Sequence, residues 1–163
     1  MKDVAKIQAL VFDFDGVLTN NKVWVDENGT ESVVCSRADG LGFAAFRQKS
    51  IPVYIMSTEE NPVVRVRAEK LGVPVIQGVK NKSKALKKLA AQFDWDLSRI
   101  LFVGNDLNDL SAMIICGFTA CPNNSHPQIV EISDFVLELS GGEGVARELA
   151  EKVFELNLMN TGD

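Results

Sequence analysis

The sequence is poor in the features that secreted, zinc-bound or membrane-embedded chains need. Its 163 residues include one histidine and three cysteines, Cys35, Cys116 and Cys121. Three cysteines make neither an even disulfide set nor a CxxC pair matched by a second pair, which argues against a zinc site; they read as ordinary reduced side chains. No apolar run approaches the length of a membrane span, and residues 1–6 lack the hydrophobic core and cleavage site of a signal peptide. The expectation is a cytoplasmic protein with no membrane partner. Long basic blocks are also missing. A formal charge of -5 and a pI near 5.0 argue against nucleic acid as the main partner. Repeats and low-complexity segments are absent, and 163 residues with 46% apolar content suit one well-buried domain, residues 1–163, better than two.

What the chain does have is an apolar run that ends in two carboxylates. Residues 7–12 suit a strand buried on both faces of a parallel sheet, and Asp13 and Asp15 follow directly, before Gly16. The carboxyl end of such a strand is where open α/β sheets bind ligands. Two aspartates placed there repel each other, which suggests a divalent cation held by oxygen ligands. The plainer alternative is that they only end a strand and open a turn. Residues 100–103 repeat the design, an apolar strand followed by Gly104, Asn105, Asp106, Asn108 and Asp109. Two acidic strand ends in one parallel sheet converge on one crevice.

Between and beyond these runs, strand-like and helix-like segments alternate. Residues 51–56, 73–78, 118–121 and 134–137 read as strands; helical spacing marks the stretch that Asp39 and Gly40 open, residues 63–71, and a segment from Lys82 to about Phe93. A doubly wound α/β fold with a mainly parallel sheet follows. Residues 20–36 carry Asn28 and Gly29 between two apolar runs, the signature of a β-hairpin able to act as a flap or as a surface for a neighbouring subunit. Ser57 and Thr58 end a strand, where a hydroxyl can serve the same cleft or simply cap the next helix. Lys82 lies near its helix start, the end the macrodipole disfavours for a cation, which points either to an anion partner or to no more than a lysine-rich solvated first turn. His126, before a proline, reads as a loop or capping residue sooner than as a base. The glycine-rich tail, in a C-terminal region spanning about residues 140–163, reads first as a flexible hinge into a final helix and second as an anion contact through Arg147.

Asp13, Phe14, Asp15, Gly16, Val17, Leu18 and Thr19, then Ser57, then Lys82, then Gly104 to Asp109 resemble, in order and placement, the four motifs of the haloacid dehalogenase superfamily of phosphohydrolases. The hairpin, the absence of a large cap domain, the Gln77-Gly78 turn and the tail around Gly141, Gly142 and Gly144 look like its capless branch. That branch includes phosphatases of 3-deoxy-octulosonate 8-phosphate and of the nonulosonate (KDN and sialic acid) 9-phosphates. The resemblance implies a magnesium-dependent phosphatase. Asp13 would be the nucleophile, forming an aspartyl-phosphate, and Asp15 the acid and then base. Ser57, Thr58 and Lys82 would bind the phosphoryl group. Mg²⁺ would be held by Asp13, Asp15, Asn105 and Asp106. By the same resemblance Glu59, Arg67, Lys70 and Arg147 meet the sugar acid, with Glu59, Arg67 and Lys70 closer to the nonulosonate pattern, and the chain assembles as a homotetramer.

Three positions depart from the superfamily pattern: Asn105 stands for an aspartate, Thr58 for a glycine, and Asn81 for an aspartate before the lysine. Asn105 keeps an oxygen ligand but removes one negative charge. An alternative is therefore a non-catalytic or weakly active oligomerisation module, like the domain fused to sialic acid cytidylyltransferases. A signalling receiver is disfavoured, because it would carry its phosphorylated aspartate on a later strand and its lysine at a strand end.

Overall fold

The computed structural model describes residues 2–159. Ala9–Phe12 (β1) leads into the hairpin Thr19–Val25 (β2) and Glu31–Cys35 (β3), then Asp39–Gln48 (α1), Val53–Met56 (β4), Val63–Leu71 (α2) and Val75–Ile76 (β5). The second half runs Lys82–Phe93 (α3), Ile100–Val103 (β6), Leu107–Met113 (α4), Phe118–Cys121 (β7), Pro127–Ile132 (α5), Phe135–Val136 (β8) and Val145–Glu148 (α6). A π-helical stretch, Leu149–Val153, continues α6. Six strands pair in parallel in the order β5-β4-β1-β6-β7-β8. This is the doubly wound sheet expected, and the hairpin is the only extra strand pair among the described residues.

Successive strand side chains point to opposite faces, and every residue of β1 is buried. Leu10 and Phe12 pack with Phe43 and Phe46 of α1, Val64 of α2 and Leu149 beyond α6. On the other face Val11 packs with Leu86 of α3, Met113 of α4 and Ile129 of α5. The sheet therefore has helices on both sides, and the chain reverses its direction of travel across the sheet at β1. Such a switch point leaves a crevice at the strands' carboxyl ends. Among the described residues no helix is long and apolar enough to cross a membrane.

The strands are shorter than the apolar runs. The run expected over residues 7–12 starts pairing at Ala9, because Val4–Lys6 winds into a 3₁₀ turn capped by Asp3. The strand expected over residues 73–78 shrinks to Val75–Ile76: Pro74 has no N–H to donate, and Gly78 turns at φ 69°. The tail differs more. In place of a hinge, the Gly142 N–H donates to the Val17 carbonyl at 2.9 Å, and a Cβ on Gly141 would lie 2.0 Å from the Gly16 carbonyl oxygen. Glu148, 3% exposed, accepts from the Glu138 and Leu139 N–H groups at 2.8 and 2.9 Å. The glycines thus let the tail lie against the loop after β1. The final helix expected towards residue 163 ends at Val153, and residues 160–163 of that expectation lie outside the described residues.

Phe43 is fully buried and meets Phe12 edge to face at 5.2 Å. Phe43→Ala is expected to lower unfolding free energy by about 3–5 kcal/mol, read as a lower urea midpoint at unchanged m-value.

Candidate active site

Three strand ends build the site. β1 delivers Asp13 and Asp15, β4 delivers Ser57 and Thr58, and β6 delivers Gly104 and Asn105. Because β1 lies between β4 and β6, these groups meet at the switch point. Gly16 is left-handed at φ 81°, and a Cβ there would come 2.0 Å from Asn105 Nδ2. Only glycine lets the two loops approach this closely.

At the floor lies a buried lysine. Lys82 Nζ is 2.6 Å from Asp13 Oδ1 and 2.6 Å from Asp109 Oδ1, with side-chain exposures of 0% for Lys82, 4% for Asp13 and 0% for Asp109. The misfit of a lysine at a helix start is thereby explained: Asn81 caps α3 through its side chain, and Lys82 turns inward to two carboxylates. Asp109 Oδ2 accepts the Asn105 and Asp106 N–H groups at 2.9 and 3.3 Å. Phe14 N–H donates to Asp13 Oδ1 at 2.7 Å.

One ammonium cannot neutralise two carboxylates. Burial would push Lys82 down, but Asp13 and Asp109 outweigh it and lift the ammonium above its ordinary range. Asp13 is pushed up to about 8, first by burial and then by the Asp109 charge, against the pull of Lys82. Asp15 is also raised, by burial and by the charge of Glu59, while the Thr19 hydroxyl, donating to Asp15 Oδ1 at 3.4 Å, works the other way.

Above the floor is a cavity of about 260 Å³ lined by Asp13, Asp15, Thr58, Asn105 and Asp106, together with Asn21 and Asn108. Asn21 and Asn108 carried no signal in the sequence beyond their neighbourhood to the motifs. Ser57 is 1% exposed and its Oγ accepts the Glu59 N–H at 3.1 Å, so the turn-capping role and a place beside the cleft coexist. His126 caps α5, its Nδ1 accepting from Gln128 N–H at 3.3 Å, while its own N–H donates to the Asn105 carbonyl at 2.8 Å.

The expected substrate residues do not line this cavity. Arg67 and Lys70 line a second one of about 300 Å³ with Arg37, Gly40 and Leu71. Arg37 went unnoticed in the sequence, although a cation beside the Asp39-Gly40 helix start was the available signal. Glu59 bridges partly, since its charge acts on Asp15, yet its carboxylate is engaged by the Glu60 and Asn61 N–H groups at 2.8 and 2.7 Å. Arg147 sits on α6, 3.9 Å from Glu151.

The donors fit a magnesium ion better than a carboxylate cage. Asn105 Oδ1 is buried without a hydrogen-bond partner, and ionising Asp13 beside Asp109 calls for more positive charge than Lys82 alone supplies. Among the described residues no cluster of three or more His, Cys, Asp or Glu side chains is gathered for a metal. Asp106 caps α4, its Oδ1 accepting from Leu107 N–H at 2.7 Å, and also lines the cavity, whereas Asp109 is buried against Lys82. Mg²⁺ commonly takes one or two carboxylates and keeps several waters. Asp13 and Asn105 Oδ1 meet that description.

The profile of the haloacid dehalogenase-like hydrolases matches residues 54–149. Over 152 residues the chain is 29% identical to the 3-deoxy-D-manno-octulosonate 8-phosphate phosphatase KdsC of Salmonella typhi, an alignment covering 93% of this chain and 81% of that one. The 3-deoxy-D-manno-octulosonate 8-phosphate phosphatase of Moraxella catarrhalis, solved with magnesium ion, phosphate ion and KDO, superposes with a TM-score of 0.88 at 31% identity, covering 93% and 88% of the two chains. A cobalt-bound deoxy-D-mannose-octulosonate 8-phosphate phosphatase of Haemophilus influenzae gives a TM-score of 0.88 at 27% identity, with 94% and 91% covered.

A carboxyl raised from 3.8 to about 8 keeps, in the folded state, a proton that the unfolded chain has released. Stability from this source is fully present below the lower value and is lost as pH rises towards the upper one. Chelator-treated protein is expected to become easier to unfold in urea across that window, and Asp13→Asn is expected to flatten the fall. An unchanged slope in the variant would show Asp13 ionised throughout.

Proposed function

The chain belongs to the haloacid dehalogenase-like hydrolases, and from that premise we propose that it is a magnesium-dependent phosphatase of a 2-keto-3-deoxy sugar acid phosphate, either an octulosonate 8-phosphate or a nonulosonate 9-phosphate. The observation that carries the reading is Asp13 held 2.6 Å from a buried Lys82 beside Asp15 and an unpartnered Asn105 oxygen. The names of the relatives favour the octulosonate. Glu59, Arg67 and Lys70 favour the nonulosonate.

In this reading the Asp13 carboxylate attacks phosphorus, the ester P–O bond breaks, and Asp15 protonates the departing sugar alkoxide. Water then attacks the aspartyl-phosphate while Asp15 takes up its proton, and inorganic phosphate leaves. Mg²⁺, when bound by the Asp13 carboxylate, the Asp15 backbone carbonyl and Asn105, supplies positive charge that keeps Asp13 ionised at neutral pH. Lys82, Ser57 and Thr58 hold phosphoryl oxygens and offset charge in the transition state. The raised Asp15 suits a group that must give a proton and then take one. Arg37, Arg67 and Lys70 provide positive charge for the substrate's acid group, with Arg147 added from the tail.

The hairpin contributes Asn21 to the cavity wall, and farther along it Trp24 is 74% and Val25 60% exposed. Isolated hairpins are marginal in water, and exposed apolar strands seek a partner. A homotetramer joined through its hairpins covers them and completes the cleft.

Phosphate release from the two sugar acid phosphates, with and without Mg²⁺, tests the activity. Wild type is expected to hydrolyse one of them only with Mg²⁺, and Asp13→Asn to lose roughly 10³-fold or more in kcat. Silence of folded, Mg²⁺-supplied wild type on both would favour the non-catalytic module, with Asn105 as the cause. Sedimentation tests the assembly: Trp24→Ser is expected to shift the protein towards smaller species, and a wild-type monomer would refute the tetramer.

A further inference from the structure

The hairpin supplies one residue to the wall of the catalytic cavity, Asn21. Its backbone is left-handed, at φ 62°. Glycine takes this conformation without steric cost, and asparagine is among the few other residues that adopt it. The hairpin register explains the turn: Thr19 pairs with Cys35 and Val23 with Val33, so Asn20, Asn21 and Lys22 stand opposite Val34 alone. A bulge of this kind beside an active site re-aims a side chain. The Asn20 carboxamide serves the bulge itself, its Oδ1 accepting the Lys22 N–H at 3.2 Å. Among the described residues the Asn21 carboxamide makes no hydrogen bond.

The bulge is held from two sides. The Thr19 hydroxyl, fully buried, accepts the Gly16 N–H at 3.2 Å and the Asn21 N–H at 3.1 Å, and donates to Asp15 Oδ1 at 3.4 Å. Asn21 and Asp15 thus share one hydroxyl, which puts Asn21 on the side of the cavity from which the sugar alkoxide departs in the proposed reaction. Behind the bulge lies the tail, where a Cβ on Gly142 would come 2.6 Å from the Asn20 backbone nitrogen. Asp13, Asp15 and Asp106 line the same cavity, and ionised carboxylates accept hydrogen bonds without donating any. They disfavour a second anionic group at that wall. A carboxamide both donates and accepts, which suits a neutral hydroxyl of the substrate.

We propose that Asn21 is a specificity-determining residue whose carboxamide, presented by the bulge, binds the hydroxyl on the carbon next to the ester carbon of the departing sugar. The inference rests on the phosphatase reading and deepens it, because it names primary phosphate esters with a neighbouring hydroxyl as the class the cleft selects. Both sugar acid phosphates proposed above belong to that class.

Glycine keeps the left-handed backbone, so Asn21→Gly removes the carboxamide alone. Glycerol 1-phosphate and 3-hydroxypropyl phosphate differ only in the hydroxyl at issue. With Mg²⁺ supplied, the ratio of kcat/KM for the first ester over the second is expected to fall about tenfold in Asn21→Gly, and kcat/KM for the preferred sugar acid phosphate to fall by a similar factor. A ratio that does not move, whether both esters weaken together or neither does, would overturn the proposal. Binding is read separately in Asp13→Asn, which leaves the esters intact. There the Asn21 side-chain NH₂ signals in ¹H–¹⁵N spectra, identified by their loss when Asn21→Gly is added, are expected to shift with glycerol 1-phosphate and to stay in place with 3-hydroxypropyl phosphate. Equal shifts, or none, would count against the contact in the same way. If folded wild type with Mg²⁺ hydrolyses none of these esters, the phosphatase reading fails, and the Asn21 signals still decide the role of the carboxamide.

Discussion

The Lys82 ammonium, buried between Asp13 and Asp109, is the contact on which the rest of the site depends. A buried charge is tolerated only when it is paired and hydrogen-bonded, and here the pairing reaches across three elements: the end of β1, the start of α3 and the first turn of α4. Asp109 then passes the constraint on, since its second oxygen holds the Asn105 and Asp106 N–H groups. The loop after β6 is positioned by the lysine that also steadies the nucleophile candidate. When Asp13 is ionised the trio is one positive charge short of balance, and that deficit is the electrostatic reason the site suits a divalent cation.

Packing around the trio is equally interdependent. Gly16 closes against Asn105, and Gly141 against the Gly16 carbonyl, so the loop after β1 is held from two sides by segments more than a hundred residues apart in the case of the tail. His126 holds the Asn105 backbone from α5. Glu148 secures the other end of the tail by accepting the backbone N–H groups of Glu138 and Leu139. None of these contacts does chemistry. Together they set where the reacting groups stand, and glycine is used where two backbones must come closer than a side chain permits.

Much of this was legible in the residues. The apolar runs ending in Asp13 and in Asn105 announced buried parallel strands and a shared crevice, because full burial on two faces demands an unbroken hydrophobic stretch. The β5 strand was overestimated because Pro74 and Gly78 interrupt pairing inside an apolar run. The tail was misread as a hinge because glycine density marks conformational freedom in an isolated chain and close backbone contact in a folded one. Asn105 looked like a weakened ligand in sequence; in three dimensions its side-chain oxygen is buried and has no hydrogen-bond partner, while Asp109 is paired with Lys82 and Asp106 caps α4 from the cavity wall.

The sequence by itself determined the fold class, the order of the strand-end motifs and the residue types able to carry the chemistry, since periodicity and local spacing are properties of the chain. Which carboxylates pair with Lys82, that the Asn105 side-chain oxygen is buried without a hydrogen bond, and that Arg67, Lys70 and Arg37 line a cavity separate from Asp13 were decided only by tertiary structure. These outcomes depend on contacts between groups far apart in sequence, such as Lys82 with Asp109 and Asp39 with Ala146. Their distances and burial exist only once the sheet and its helices have closed around them.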